Sequence, residues 1–391
     1  MNILFLADPN AVHDLKWMSW FSGVHSCFLV AREQHLEGWT AGSRRKFKEE
    51  TNIEILGSIA DFSIRHFFRN KGGVDKLRQM LKEHSIDVFH ILYAEPNGLW
   101  AYYRQKLEVP VVISTRGSDV LMGIRGFFRR KDPLALVLRY FYRKSFRVAD
   151  LVTSTSSFQK KEIQRMLGRE DVEIIYTGVE LEKIQETDLV YLPADIPADR
   201  PFVFFPRLMK PVYRHEFSIE AIALLPHHIK SSFSFVFVGA DGSETDYINK
   251  IRTLMEKQKG VDFIFLNRQS RQALYALYKK AALVVMNPAS DGTPVSAMEA
   301  MACKTPLILP PLQYDPALFN EQTVTFFEAW NPGSLEKSMR KLLENPERSH
   351  AKVETAFETA GLHGDYSPNM KKLEGMLNSL SNKPPGGNER K

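Results

Sequence analysis

Two carboxylates beside an expected helix start are the most informative residues of the chain. Asp291 and Glu299 lie eight positions apart. The apolar run 283–287 predicts a strand that leads into a loop with Asp291 and Gly292, and a helix should begin near Pro294, since proline is tolerated in the first helical turn. Helix starts present free N–H groups and partial positive charge, which suit diphosphate oxygens. The spacing predicts a site for a phosphorylated, hydroxyl-bearing ligand.

A structural role is the alternative for both carboxylates. In that case Asp291 caps the helix and Glu299 is a solvated helix residue. The apolar neighbours of Glu299 argue against this, because a carboxylate in so apolar a helix needs a partner. Those neighbours are Ala297, Met298, Ala300, Met301 and Ala302.

Short apolar runs that alternate with longer amphipathic segments indicate the fold class. Many runs are rich in Val, Ile and Phe with little alternation, as expected of parallel strands buried on both faces. We therefore predict an α/β protein with doubly wound sheets. Predicted strands cover 2–7, 26–30, 87–92, 110–115, 150–154, 172–176, 202–206, 233–238, 261–266, 283–287 and 305–309, and predicted helices include 72–84, 134–148, 157–168, 244–258 and 270–281.

A segment without a clean period, 185–200, predicts a linker because it combines two prolines with four acidic residues. It divides the chain into domains 1–190 and 200–366. Ligands in doubly wound sheets bind beyond the carboxyl ends of the strands, so two facing sheets can hold two substrates. The polar residues 382–391, rich in Pro and Gly, predict a disordered tail.

Composition excludes several classes of protein. Hydrophobic residues make up 44% and charged residues 25%, and the net charge is +6, which is ordinary for a globular protein. No apolar run approaches the roughly 20 residues of a membrane-spanning helix. Two distant cysteines, Cys27 and Cys303, exclude a disulfide framework and a Cys-rich zinc site. The start, NILFLA, lacks the features of a signal peptide. We expect a cytoplasmic protein.

The segment SDGTPVSAMEAMA, residues 290–302, resembles the acidic-x7-acidic signature of the family 4 retaining glycosyltransferases, in the form of the SDGTPxSxxEAMA subgroup. That family has the GT-B fold, in which two Rossmann-like domains face a central cleft. The first acidic residue is commonly Glu in the family and is Asp291 here. The resemblance implies that Asp291 contacts the transferred sugar and that Glu299 holds the ribose. Gly292, Thr293 and Pro294 would line the sugar and diphosphate.

The resemblance implies an activity as well. A sugar would pass, with retention, from a nucleotide sugar that is UDP- or GDP-linked to a glycan or lipid-linked acceptor, in polysaccharide or glycolipid biosynthesis. In this family the donor phosphate is usually described as taking the acceptor proton, so a protein base is not required. Cationic side chains and helix N–H groups would bind the phosphates, so no metal or cofactor is expected. The alternatives are another GT-B sugar-nucleotide enzyme, epimerase-like, and a non-catalytic GT-B scaffold. A nicotinamide dehydrogenase is disfavoured, since no GxGxxG follows the first strand.

Further donor residues follow from the same resemblance. FVFFPRL, 202–208, resembles the first donor-domain strand, whose Arg207 would bind the diphosphate; a surface ion pair is its alternative role. The family's usual Lys is replaced by Val212, and either Lys210 or Arg214 is a candidate substitute. A glycine turn at Gly239 and backbone groups from Leu266 to Arg268, which would meet the nucleobase, complete the set.

The acceptor side is expected in the N-terminal domain. The segment VPVVISTRGSDVL, 109–121, resembles a family strand that usually ends in His-Gly-Ser-Asp; Arg116 stands at the His position, followed by Gly117, Ser118 and Asp119. Arg116 would steer a phosphate or an anionic acceptor, or else pair with Asp119. His13, just beyond the first strand, is a further acceptor candidate. A final helix near 367–381 would return to this domain, as in other GT-B chains.

Residues 122–147 interleave aromatic and aliphatic residues with eight Arg and Lys. This pattern predicts peripheral contact with an anionic membrane on the inner face of the cell. A core helix with a basic solvated edge is the alternative. Nucleic acid is not an expected partner, because the chain has no recognition motif and its positive charge is not concentrated.

Overall fold

The computed structural model describes residues 1–65, 67–239 and 245–382. These residues form two compact units. The first comprises Met1–Tyr176 and the described residues from Pro368 onward, and the second comprises Thr177–Ser367. The tail for which we predict disorder lies outside the described residues, except for Asn382.

The first unit is built on a parallel sheet. Its described residues form seven strands in the order β3-β2-β1-β4-β5-β6-β7, and each neighbouring pair is parallel. The inner strands β4 and β5 are buried along their whole length, which explains their continuous apolar sequence. The strands are β1 (Asn2–Leu6), β2 (Ser26–Arg32), β3 (Ile53–Ile59), β4 (Val88–Leu92), β5 (Val111–Ser114), β6 (Leu151–Ser154) and β7 (Glu173–Ile174).

Helices connect these strands. They are α1 (Val12–Ser22), α2 (Ala41–Thr51), α3 (Phe67–Glu83), α4 (Ala94–Asn97), α5 (Arg104–Leu107), α6 (Arg125–Arg129), α7 (Pro133–Val148) and α8 (Ser157–Leu167). Short 3₁₀ segments cover Glu33–Leu36 and Gly98–Tyr103, and a π-helical turn covers Asp119–Ile124. The π-helical turn lies directly after the loop that follows β5.

The second unit has a sheet of the same kind. Its described residues form six parallel strands in the order β10-β9-β8-β11-β12-β13. The strands are β8 (Phe202–Phe205), β9 (Ser234–Val238), β10 (Asp262–Leu266), β11 (Leu283–Val285), β12 (Leu307–Leu309) and β13 (Thr325–Phe326). The helices are α9 (Leu181–Glu186), α10 (His215–Leu224), α11 (His227–Ser232), α12 (Thr245–Glu256), α13 (Arg271–Lys280), α14 (Val295–Ala302), α15 (Pro332–Glu344) and α16 (His350–His363). The two sheets confirm the predicted α/β fold class.

The units divide between Tyr176 and Thr177, earlier than the sequence boundary at 190. Residues that follow the division are bound to the second unit by their backbone. The N–H of Val179 donates to the carbonyl of Gly364 at 2.8 Å, and the N–H of Tyr366 donates to the carbonyl of Val179 at 2.8 Å. The expected linker is also attached to this unit, because Lys279 donates to the carbonyls of Gln185 and Thr187.

The last helix, α17 (Tyr366–Ser381), returns to the first unit. Its Glu374 accepts a hydrogen bond from the indole of Trp20 at 3.1 Å and lies 3.0 Å from the imidazole of His25. Three of its apolar side chains, Met370, Leu373 and Leu377, are fully buried. The chain therefore crosses between the units twice.

Each sheet contains one point at which the strand order reverses. In the first unit β2 and β3 lie on one side of β1, while β4 and the later strands lie on the other. In the second unit β9 and β10 lie on one side of β8, while β11 and the later strands lie on the other. Doubly wound sheets bind ligands at this reversal, beyond the carboxyl ends of the strands. The pairs β1/β4 and β8/β11 therefore mark where binding residues are expected.

Helix α3 gives a direct test of packing in the first unit. A Cβ on Gly73 would overlap the ring of Trp100, which is 2% exposed, whereas a Cβ on Gly72 meets no atom within 4 Å. We expect Gly73→Ala to lower the free energy of unfolding by about 1–3 kcal/mol through overpacking. Gly72→Ala should instead raise it by about 0.4–1 kcal/mol, because alanine restricts the unfolded chain.

Urea unfolding followed by tryptophan fluorescence measures both changes. This signal reports chiefly on the first unit, which holds four of the five tryptophans, Trp17, Trp20, Trp39 and Trp100. Equal midpoints for the two variants would contradict the close contact between Gly73 and Trp100.

Candidate functional site

The second unit brings Arg207 and Asp291 together at its point of strand reversal. Arg207 follows β8 and Asp291 follows β11, so both lie beyond the carboxyl ends of neighbouring strands. The Nη2 of Arg207 is 3.1 Å from Oδ2 of Asp291, and the two side chains are only 18% and 17% exposed. The residues are far apart in sequence and meet because β8 pairs with β11.

Two further side chains fix the Arg207 guanidinium. Its Nη1 donates to Oγ of Ser296 at 2.5 Å, and its Nη2 donates to the hydroxyl of Tyr213 at 2.6 Å. The guanidinium carbon also lies 4.1 Å from the centre of the Tyr213 ring. Burial opposes the charge of Arg207, but Asp291 and then Tyr213 hold its pKa above the ordinary value. Arg207 is therefore a fixed cation inside the site and not a surface residue.

Asp291 lies at the start of the loop that precedes α14. Its carboxylate accepts a hydrogen bond from the N–H of Gly292 at 2.9 Å. Burial raises the pKa of Asp291, and the neighbouring Arg207 opposes the shift. The N-cap of α14 is Pro294, so the alternative in which Asp291 caps the helix is wrong. Gly292 and Thr293 are half-buried in the same loop.

Helix α14 presents Glu299 beside two buried tyrosines of α13. The flanking helix residues Met298 and Ala300 are fully buried, whereas Glu299 is half-buried. A side-chain hydrogen bond joins Glu299 to Tyr278; burial and then the charge of Glu299 raise the pKa of Tyr278 well above its usual range. Burial also raises the pKa of Tyr275, again with Glu299 as the next cause. Glu299 therefore has polar partners and is not simply a solvated helix residue.

The two candidate substitutes for the missing lysine have different surroundings. Arg214 adopts a left-handed backbone conformation with φ 47°, and its guanidinium carbon lies 3.2 Å from the centre of the Trp330 ring. Lys210 is half-buried and immediately precedes the 3₁₀ turn Pro211–Tyr213. The carbonyl of Val212 accepts a hydrogen bond from the N–H of Ala289. Both cations therefore border the loop that carries Arg207, and the choice between them stays a prediction.

The remaining donor candidates lie at the ends of β9 and β10. The N–H of Gly239 donates to the carbonyl of Leu266, and a Cβ on Gly239 would lie 2.5 Å from that oxygen. Only glycine permits this approach of the two chain segments. Leu266 is buried and Arg268 is exposed, so the side chain of Arg268 is open to solvent.

Asp119 organises the loop after β5 in the first unit. It is 1% exposed. Its carboxylate accepts hydrogen bonds from the backbone N–H groups of Ala94 at 2.7 Å, Arg116 at 3.0 Å, Gly117 at 2.9 Å and Val120 at 2.9 Å. Burial raises the pKa of Asp119, while these N–H groups lower it. Asp119 is therefore placed to hold the loop, and the neighbouring Ser118 lies with its hydroxyl 3.0 Å from that of Tyr93.

Arg116 is enclosed by residues of helix α1. Its guanidinium carbon lies 3.7 Å from the centre of the Trp17 ring, and its Nη2 is 3.5 Å from Oδ1 of Asp14. The side chains of Arg116 and Asp14 are only 7% and 5% exposed. The alternative ion pair with Asp119 is wrong, because Asp119 binds the backbone of Arg116 and not its guanidinium. His13, the other acceptor candidate, is exposed in the first turn of α1.

Sequence reasoning missed two polar residues at the end of β4. Tyr93 and Glu95 directly follow the buried run of that strand and are half-buried. Burial raises the pKa of Glu95, and the positive charge of Arg32 opposes the shift. Their position after a strand that borders the reversal is the signal that could have identified them.

Two further features of the described residues concern membranes and metal ions. No helix among residues 1–65, 67–239 and 245–382 is long and apolar enough to cross a membrane. The same residues contain no group of three or more His, Cys, Asp or Glu side chains arranged to hold a metal ion.

Two family models match the chain. One, described as "Glycosyltransferase Family 4", matches residues 26–183, and one described as "Glycosyl transferases group 1" matches residues 193–359. A relative with a similar sequence is an uncharacterised glycosyltransferase, MJ1178, of Methanocaldococcus jannaschii. It is 24% identical over 275 residues, which make up 69% of each chain.

Two solved bacterial structures have a similar fold. A glycosyltransferase from Rickettsia africae has a TM-score of 0.79 at 14% identity and covers 98% of this chain and 99% of its own. Anabaena HepE, solved in complex with UDP and glucose, has a TM-score of 0.71 at 17% identity and covers 97% of this chain and 100% of its own. At these identities the likeness shows the fold.

Removal of the Arg116 side chain tests its structural role. We expect Arg116→Ala to lower the free energy of unfolding by about 3–5 kcal/mol, because Asp14 would remain buried without this cation. The matched control, Arg130→Ala, breaks the exposed ion pair with Asp132 and should change the free energy by less than about 1 kcal/mol. Urea unfolding followed by tryptophan fluorescence measures both. A wild-type midpoint for Arg116→Ala would contradict the structural role.

Proposed function

Since this chain belongs to the family 4 glycosyltransferases with the GT-B fold, we propose that it is a retaining, metal-independent hexosyltransferase. It moves a sugar from a nucleotide sugar to a hydroxyl group of a glycan or lipid-linked acceptor. The observation that carries this proposal is the buried Arg207–Asp291 pair, which lies beside the start of α14 at the strand reversal of the second unit.

Arg207 and α14 are suited to stabilise a leaving nucleoside diphosphate. The glycosidic C–O bond breaks with its electron pair on the phosphate oxygen, so negative charge grows there in the transition state. A fixed cation and the free N–H groups of a helix start stabilise that charge without reorganisation. Ser296 and Tyr213 support this role because their hydroxyl oxygens accept hydrogen bonds from the guanidinium and fix its position.

Retention follows from the geometry proposed for the acceptor. Its hydroxyl oxygen bonds to the anomeric carbon on the face from which the diphosphate departs, and its proton passes to the departing phosphate oxygen. The phosphate thus serves as the base in place of a protein side chain, and Arg207 with the start of α14 takes the place of a metal ion on the diphosphate. Asp291 accepts hydrogen bonds from the hydroxyls of the transferred sugar in this proposal.

We propose UDP as the nucleotide carrier. Anabaena HepE, which shares the fold, was solved with UDP, with UDP and glucose and with UDP-glucose. Glu299 would accept hydrogen bonds from the ribose hydroxyls, and its half-buried position beside Tyr278 supports this role. Backbone groups from Leu266 to Arg268 would meet the base at the end of β10.

A membrane-bound acceptor is supported by the surface of α6 and α7. Helix α7 buries one face through Ala135, Tyr142 and Phe146. A second face exposes Leu136, Val137 and Tyr140 in one stripe. Exposed cations border this stripe: Arg129, Arg130, Lys131, Arg143, Lys144 and Arg147.

Such a surface suits an anionic bilayer, with apolar side chains among the acyl chains and cations on the headgroups. We propose peripheral attachment to the inner face of the cell membrane. Both interpretations of segment 122–147 then apply to α7, because one face of the helix lies in the core and the other contacts lipid.

A screen of nucleotide sugars tests the reaction itself. UDP-glucose, UDP-galactose, UDP-N-acetylglucosamine and GDP-mannose with a labelled sugar are incubated with and without a membrane lipid extract. A transferase moves the label to the extract and releases little without it. A labelled sugar that changes its stereochemistry while it stays attached to the nucleotide would indicate an epimerase-like enzyme. No binding of any nucleotide would indicate a scaffold.

Two substitutions test the donor site. We expect Arg207→Ala and Glu299→Ala each to weaken UDP binding or turnover at least tenfold, which corresponds to ~1.4 kcal/mol. Arg348→Ala is the matched control, because Arg348 is an exposed arginine of the same unit, in the turn Pro346–Ser349. Isothermal titration with UDP gives the dissociation constants. Wild-type values for both Arg207→Ala and Glu299→Ala would remove the assigned site.

Vesicle binding tests the proposed membrane surface. We expect the double substitution L136D/Y140D to weaken co-sedimentation with vesicles of phosphatidylcholine and phosphatidylglycerol at least tenfold, since it places two acids in the apolar stripe. Val24→Asp is the control, because Val24 is also exposed in the first unit. Binding that is unchanged in the double variant, or equal with pure phosphatidylcholine, would refute the proposal.

A further inference from the structure

The strand reversal of the first unit has polar residues in the positions that form the donor site in the second unit. There Arg207 and Asp291 follow the two reversing strands, β8 and β11. In the first unit the reversing strands are β1 and β4, and the segment after β4 carries Tyr93 and Glu95. Ligands of doubly wound sheets bind at this point, so these two side chains lie where a ligand of the first unit is expected.

The backbone at Tyr93 is held in an unusual conformation. Its φ is 65° and its ψ is 96°, and positive φ is strained for a bulky side chain. The N–H of Tyr93 donates to the carbonyl of Ser114 at 3.1 Å, and the N–H of Ala94 donates to Asp119 at 2.7 Å. The Tyr93 hydroxyl lies 3.0 Å from that of Ser118. Strained residues held by several contacts concentrate at functional sites.

The Glu95 carboxylate has unused capacity to accept hydrogen bonds. Glu95 is half-buried. Among the residues that the structure describes, none forms a hydrogen bond or an ion pair with its carboxylate, and the nearby cation Arg32 instead pairs with Asp61 at 2.5 Å. Water can hydrogen-bond a half-buried carboxylate in the free protein, and the hydroxyl groups of a ligand can take the place of that water.

The π-helical turn after β5 packs against this carboxylate. A Cβ on Gly123 would lie 3.0 Å from Cγ and 3.1 Å from Oε2 of Glu95. The glycine therefore leaves room for the carboxylate in its present position. Insertions of this kind in helices are frequent at functional sites.

Charge at this point selects against an anionic ligand. A carboxylate accepts hydrogen bonds from hydroxyl groups and repels phosphate. The cation that sequence analysis assigned to an anionic acceptor, Arg116, is instead 7% exposed and paired with Asp14. The residues that remain half-exposed at the reversal, Tyr93 and Glu95, suit a neutral ligand.

We propose that Glu95, aided by Tyr93, is the acceptor-positioning residue of this chain and binds hydroxyl groups of a neutral sugar unit of the acceptor. The inference rests on the proposed transferase function and deepens it. Glu95 orients the acceptor and takes no proton in the reaction, because the departing phosphate does so. The subsite lies in the first unit and is separate from the donor residues of the second.

Ligand binding in the presence of saturating UDP tests the proposal. The probes are p-nitrophenyl β-D-glucopyranoside, p-nitrophenyl β-D-galactopyranoside and p-nitrophenyl α-D-mannopyranoside, with glucose 1-phosphate as the anionic comparison. Saturation-transfer NMR titrations give their dissociation constants. At least one neutral glycoside should bind, and should bind more tightly than glucose 1-phosphate.

Four variants define the role of the carboxylate. Glu95→Ala should weaken binding of the glycoside at least tenfold, and Gly123→Ala should act in the same direction because its Cβ displaces the carboxylate. Glu95→Gln should remain within about threefold of the wild type, because its amide oxygen still accepts hydrogen bonds. Gly126→Ala, whose Cβ would meet no atom within 4 Å, should match the wild type.

Three results would each overturn the proposal: no glycoside binds the unaltered protein, Glu95→Ala binds it as well as the unaltered protein does, or glucose 1-phosphate binds more tightly. UDP affinity, measured in the same samples, should stay unchanged in every variant. Loss of UDP binding in Glu95→Ala would also overturn the proposal, because the substitution would then disrupt the folded structure and not a local acceptor subsite. Failure of the unaltered protein to bind UDP would instead refute the donor-site proposal. The glycoside dissociation constants of the wild type and of Glu95→Ala would still decide the role of Glu95.

Discussion

The ion pair of Arg207 with Asp291 is the interaction on which the candidate site of the second unit depends. Two charges that are more than four-fifths buried are tolerated only when each has partners, and here Ser296, Tyr213 and the N–H of Gly292 supply them. The partners come from the 3₁₀ turn after β8, the β11–α14 loop and the first turn of α14. The position of the cation is therefore a consequence of how β8 and β11 pair, and a ligand meets a charge that is already oriented.

The two units use the same strand reversal in different ways. In the second unit the reversal carries a cation and an acid that lie against a helix start. In the first unit the comparable cation, Arg116, is covered by Trp17 and paired with Asp14, while Asp119 holds the loop through backbone N–H groups. Tyr93 and Glu95 remain half-exposed there, so the accessible charge at the reversal differs between the units.

Continuous apolar runs made most of the fold predictable, because strands inside a parallel sheet are buried on both faces. Strand β3 was missed, since Gly57 and Ser58 interrupt its apolar pattern at the edge of the sheet. The boundary near 190 was placed late because Val179 pairs with residues near Asp365, and no local pattern reveals so distant a contact. Contacts between residues distant in sequence also limited the prediction of the site. The motif identified Asp291 and Glu299, but the partnership of Arg116 with Asp14 needed the packing of α1.

Both departures from the family pattern are compensated by nearby residues. Asp291 has one methylene fewer than the usual Glu, yet its carboxylate reaches Arg207 at 3.1 Å. Arg116 replaces a histidine, and its charge is neutralised by Asp14 and covered by an aromatic ring. An unmatched buried charge costs several kcal/mol, so these pairs stabilise the fold in both places. Each departure from the family pattern is therefore accommodated by the packing of its own unit.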